Sequence, residues 1–110
     1  MDAQPQLLNR TTIEHLKLQV GADMLPVVIA TFVREGEAAI ELLEHIQTEQ
    51  IQHYCHTLKS SAAAIGADAL AQQASMLDQQ LKDCPHSAVD LAPLQRLYRN
   101  TLIVLRSLLN

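Results

Sequence analysis

Residues 56–66 read His-Thr-Leu-Lys-Ser-Ser-Ala-Ala-Ala-Ile-Gly, which sets an imidazole and an ammonium three positions apart. On a helix that spacing makes two side chains neighbours. With Leu58 as the inward direction and about 100° per residue, Ile51, Tyr54, Cys55, Ala62 and Ile65 fall within about 60° of it. His56 falls at about 160°, toward water, with Gln52, Lys59, Ser60 and Ala63 on the same outer half. The residues flanking the ring are short, so a macromolecule can approach it closely. Between residues 35 and 81 the other charges are all acidic (Glu35, Glu37, Glu41, Glu44, Glu49, Asp68 and Asp78), which leaves Lys59 as the one cation of that region.

Near neutral pH a good part of imidazole is uncharged and nucleophilic. No Ser–His–Asp set and no Gly-rich phosphate loop can be assembled from the remaining residues. A histidine acting alone takes a phosphoryl group on nitrogen from an activated donor, a reaction that asks chiefly for in-line positioning and charge neutralisation. Lys59 would offset the charge of the bound group. The structural alternative is a solvated histidine on an Ala-rich helix. A metal site is poorly supported. His53 and His56 are i, i+3, and Cys84-x-His86 follows near the next loop, but Cys55 points inward and Cys84 falls at the far end of the next helix. His15, His45, His53 and His86 read as surface or boundary residues.

The elements that must hold this histidine are helical. The chain has 110 residues, enough for one domain spanning 1–110, and is 48% hydrophobic and 18% charged, a globular balance. Phe32, Tyr54 and Tyr98 are the only aromatics, so Leu, Ile, Val, Ala and Met must build the core, which suits packed helices. Apolar spacings of three and four predict helices over 11–20, 24–48, 50–65, 68–83 and 88–109. The expected inward stripes are Leu25, Val28, Phe32, Ala39, Leu43 and Ile46; then Ile51, Tyr54, Cys55, Leu58, Ala62 and Ile65; then Leu70, Ala74, Leu77 and Leu81; then Leu94, Tyr98, Leu102, Leu105 and Leu109. Asp23 and Asp90 read as N-caps, each with a Pro three residues on, and Gly66 as a helix stop. Short connections make neighbours antiparallel. The expected architecture is all-α: an antiparallel up-down four-helix bundle with a short additional N-terminal helix.

That register bears on the site. A turn centred near residue 67 sets position 56 opposite position 78. Asp78 would accept a hydrogen bond from the ring Nδ1–H and leave Nε2 free to attack. Asp78 also lies about 100° off its own helix's core direction, which leaves open a surface carboxylate that contacts nothing.

Composition excludes several classes. A net charge of −4 without a basic tract argues against nucleic-acid binding. The opening Met-Asp-Ala-Gln-Pro-Gln lacks a signal-peptide plan, and the longest apolar run, 24–33, is too short for a membrane span. Two cysteines make no disulfide framework, so a reduced cytoplasmic setting is expected.

With His56, Lys59 three residues on, small side chains after it and Gly66 ten residues on, the segment resembles the phosphoacceptor signature of histidine-containing phosphotransfer (HPt) domains. Length, helix order and Phe32-x-x-Glu35 on the preceding helix fit as well, and the stand-alone size with Leu58-Lys-Ser-Ser-Ala-Ala and Gly66-Ala-Asp is similar to a quorum-sensing phosphorelay member. The resemblance implies a monomeric, stoichiometric phosphocarrier without kinase activity or a cofactor of its own. It would receive a phosphoryl group on His56 from the receiver-domain aspartate of a hybrid sensor kinase and pass it to a response-regulator receiver. Mg²⁺ would belong to the receivers. Gln52, His53 and Ala63 would meet them. Two positions depart from the pattern: Ser60 stands where many members have Gly, and Asp78 where many have a Gln that orients the ring. The competing reading is a non-catalytic bundle that docks receiver-like partners.

Overall fold

The computed structural model describes residues 6–109, so all but Gln6 of the opening segment read for a leader lies outside the described residues. The described residues form five helices and no strands: α1 (Arg10–Val20), α2 (Leu25–Leu42), α3 (Thr48–Ala64), α4 (Asp68–Asp83) and α5 (Ala92–Ser107). The most extensive packing joins α3 to α4; α2 packs on α5, α4 on α5, and α1 more lightly on α2. None of these helices is long and apolar enough to cross a membrane.

Two boundaries differ from the sequence expectation, each for a local reason. Helix α2 was expected to reach residue 48 and ends at Leu42. Its last turn tightens, with Glu44 N–H donating to the Glu41 carbonyl and His45 N–H to that of Leu42. The Ile40 carbonyl, which a further α-turn would use, instead accepts from the Gln95 side chain of α5. Gln47 and Gln50 then form a reciprocal capping box that starts α3. Helix α5 begins at Ala92 rather than 88, and Leu91, not Asp90, occupies its N-cap without a side-chain bond; Asp90 Oδ1 accepts from Ala92 N–H at 3.0 Å. Asp23 does not act as expected: Met24 occupies the N-cap of α2 without a side-chain bond, and the Gly21 carbonyl takes the Met24 and Leu25 N–H groups.

The stripes on α3 and α4 are buried apart from Tyr54, which is half-buried. On α2 the inward line is rotated by about one residue. Ile29, Val33, Gly36, Ala39, Ile40 and Leu43 are buried, while Leu25, Val28, Phe32 and Ile46 lie half-buried along its edge. Gly36 is the cause: a Cβ there would stand 2.9 Å from the Leu102 methyls and the Tyr98 ring, so α5 seats directly on the glycine. The terminal Leu109 of the α5 stripe is exposed.

Gly66 fixes the α3–α4 turn. Its φ of +84° lies in the left-handed region, and a Cβ would meet the Asn9 carbonyl oxygen at 2.8 Å. The N-terminal segment clasps the same turn: Asn9 N–H donates to the Gly66 carbonyl at 2.6 Å, Asn9 Nδ2 to Asp68 Oδ2 at 3.0 Å, and Ala69 N–H to the Gln6 carbonyl at 2.8 Å. Gly66→Ala therefore combines backbone strain with a backbone clash. We expect it to destabilise the fold by about 2 kcal/mol, read as a lowered thermal midpoint by circular dichroism; an unchanged midpoint would refute this account of the turn.

Candidate functional site

The short turn at 65–67 sets the register of α3 on α4, and that register joins the side chains of interest. Gln52, His56 and Lys59 stand on successive turns of one α3 face, a spacing of four and three that holds a straight line along a helix. Opposite them on α4 stands Asp78, with 1% of its surface exposed. Gln52 Nε2 donates to its Oδ1 at 2.5 Å. The other oxygen, Oδ2, is shared: His56 Nδ1 lies 3.1 Å away, Lys59 Nζ 2.8 Å and Lys82 Nζ 3.3 Å.

This settles the question left open for Asp78. The wheel of α4 alone left it at the margin, about 100° from the core direction; the long α3 side chains laid across it close it off. Burial pushes its carboxyl up, but Lys59, Gln52, His56 and Lys82 together outweigh this and hold it well below the ordinary carboxylate range. An ionised carboxylate only accepts, so the ring nitrogen it faces carries the proton. A neutral His56 ring held this way has its lone pair on Nε2. The side chain is 52% exposed, and exposed Ser60 and Ala63 lie close by in the sequence on α3.

The remaining site residues fall as follows. Gln52, expected at a docking face, is half-buried and spent on Asp78; His53 is exposed and lines an open apolar pocket with Leu42, Ile46, Glu49, Gln50, Tyr54 and Thr57. Lys59 is not the free cation its isolation in the sequence suggested, because it is paired with Asp78 and half-buried. Lys82 was missed. It stands just past the acidic stretch, and its one sequence signal is the i, i+4 relation to Asp78. Behind the histidine, Cys55 is fully buried, and its thiol is pushed up to about 11 by burial and then by the Asp78 charge, so it is inert at neutral pH. Burial also raises the phenols of Tyr54 and Tyr98, whose hydroxyls meet at 2.8 Å. Among the described residues no cluster of three His, Cys, Asp or Glu side chains could hold a metal ion.

The chain belongs to the Hpt domain family, whose model matches residues 27–109. It is 38% identical over 80 residues to the phosphorelay protein LuxU of Vibrio harveyi, an alignment covering 69% of this chain and 70% of that one. LuxU of Vibrio vulnificus is 35% identical over 82 residues, 71% of each chain. No solved structure matches.

The depressed carboxyl of Asp78 links the site to stability. A group whose acidity is raised by folding stabilises the fold above its unfolded pKa and loses that contribution as pH falls toward the folded one. Urea unfolding should show wild type more stable than Asp78→Asn at pH 7, with the difference shrinking as pH falls below about 4. A difference independent of pH would show that the charge of Asp78 contributes nothing.

Proposed function

We propose that the protein is a histidine phosphotransfer carrier of a multistep phosphorelay in quorum sensing, with His56 as phosphoacceptor. One observation carries the assignment of the residue: a half-exposed imidazole whose Nδ1 rests on a buried carboxylate, in a chain of the Hpt family. Nε2 attacks the phosphorus of an aspartyl phosphate on a receiver domain of a hybrid sensor kinase. The N–P bond forms, the P–O bond to the aspartyl carboxylate breaks, and the proton stays on Nδ1 against Asp78. The reverse steps on a response-regulator receiver complete the relay. Lys59 neutralises phosphoryl oxygens, and Ser60 and Ala63 leave the ring accessible. Asp78 positions the ring, Gln52 supports Asp78, and His53 lies on the docking face.

In this reading the protein is a stoichiometric carrier, a cytoplasmic monomer of one domain that binds neither nucleic acid nor membrane. Mg²⁺ belongs to its receiver partners. The fold is an antiparallel four-helix bundle, α2 to α5, with α1 added at the N-terminus. The α2–α5 contacts support counter-running helices: Ile40 meets Gln95, whereas Glu37, earlier in α2, pairs with Arg106, later in α5.

Incubation with an autophosphorylating hybrid kinase bearing its receiver should place acid-labile, alkali-stable label on the protein, and His56→Gln should abolish it. Lys59→Ala should slow transfer by roughly tenfold or more, the effect of losing a hydrogen bond to a charged group, while the bundle stays folded. Label that persists in His56→Gln would remove the phosphoacceptor assignment. Absence of label, where another carrier is labelled, would leave a non-catalytic docking module.

A further inference from the structure

The Asp78 Oδ2 atom is within 3.3 Å of three nitrogens, and two of them belong to lysines on different helices. One partner, Lys59, comes from the helix that bears the histidine. The other, Lys82, comes from α4, and its side chain is 45% exposed on a flexible stem. Both ammonium groups converge on an atom that is itself in contact with the imidazole. A phosphoryl group on Nε2 of the same ring carries a charge of about −1.5 to −2 and three strong acceptor oxygens.

The charges then decide the outcome. Two ammonium groups and one carboxylate leave the resting cluster at about +1, counting the ring as neutral. A dianionic phosphoryl group on Nε2, with the proton kept on Nδ1, leaves the ring cationic and brings a net charge of about −1, which takes the cluster to about zero. With a neutral amide in place of the carboxylate the same sum is about +1. The carboxylate that holds the ring ready for attack therefore also competes with the phosphoryl group for its cations.

We propose that Asp78, through its hold on Lys59 and Lys82, limits how long the phosphoryl group stays on His56, with Lys82 as a second cation for that group. This rests on His56 being the phosphoacceptor. In the loose transition state of phosphoryl transfer the phosphoryl unit moves toward metaphosphate and its oxygens lose negative charge. Ammonium groups bound to those oxygens stabilise the phosphorylated ground state more than the transition state, so cations diverted to Asp78 shorten the dwell. In hydrolysis, water oxygen bonds to phosphorus, the N–P electron pair returns to Nε2, and inorganic phosphate leaves with the water's protons.

The test uses the full chain and a small donor, so that no receiver contributes. Phosphoramidate reacts as its zwitterion: Nε2 bonds to phosphorus, the donor's P–N bond breaks, and ammonia leaves. After removal of the donor, the loss of phosphohistidine is followed by phosphorus NMR. Asp78→Asn keeps an oxygen acceptor for Nδ1–H but removes the charge. It should still accept the phosphoryl group and hold it about tenfold longer, the effect of one strengthened charge-assisted hydrogen bond. Lys82→Gln should shorten the dwell several-fold, and the double variant should fall between the two. In wild type, the nitrogen resonances of the Lys59 and Lys82 ammonium groups should shift on phosphorylation.

A purely orienting Asp78 would slow acceptance and leave the dwell unchanged; that result, or a shorter dwell in Asp78→Asn, overturns the proposal. If Asp78→Asn does not fold, Lys82→Gln decides alone, and an unchanged dwell there overturns it. Failure of wild type to take label from either phosphoramidate or the kinase would instead sink the phosphoacceptor reading itself.

Discussion

A carboxylate sealed between two helices must be neutralised where it stands. Asp78 is that group, and its ionisation rests on donors that only one packing of α3 on α4 can deliver. Taking a carboxylate out of water costs several kcal/mol unless charge and hydrogen bonds offset it. Here both oxygens are used, one by Gln52 and the other by His56, Lys59 and Lys82. A slip of one residue along α3 would swing its three contributors by about 100° and leave the charge buried alone. The residue that meets the histidine ring thus also ties the register of the helix pair.

The rest of the molecule holds that pair in place by close fits more than by charge. The missing side chain at Gly36 lets α5 lie against α2, and Gln95 reaches across to end α2 by taking its carbonyl. The same amide donates to Glu44 at 3.1 Å. Among the described residues no buried side-chain nitrogen or oxygen that is inaccessible to solvent lacks a partner. An interior of Leu, Ile, Val and Ala has few directional contacts, so these few polar ties carry much of the specificity.

Helices α3 and α4 were legible in the sequence because their apolar spacing is regular and Gly66 separates them. His56 and Lys59 could be found because the wheel sets them outward among short side chains. What a single helix cannot show is what another helix lays over it. Asp78 sat at the margin of its own wheel and became buried only beneath Gln52, His56 and Lys59. Lys82 escaped notice because its partner lies on its own helix and its relevance appears only once α3 is in place. The end of α2 was misjudged for the same reason: the cause, Gln95, is 55 positions away from the carbonyl it captures. Asp23 was read from local chemistry alone, and the Gly21 carbonyl occupied the donors it would have taken.

The α3–α4 turn has a consequence in time as well as in space. The ring and its carboxylate are 22 residues apart in the chain, and the tie between Asn9 and Asp68 spans 59. Local contacts close with little loss of chain entropy and favour fast folding, whereas long closures come at greater cost. The helical hairpin that carries the histidine is thus the most self-contained part of the molecule, whereas the N-terminal clasp closes a far longer stretch of chain.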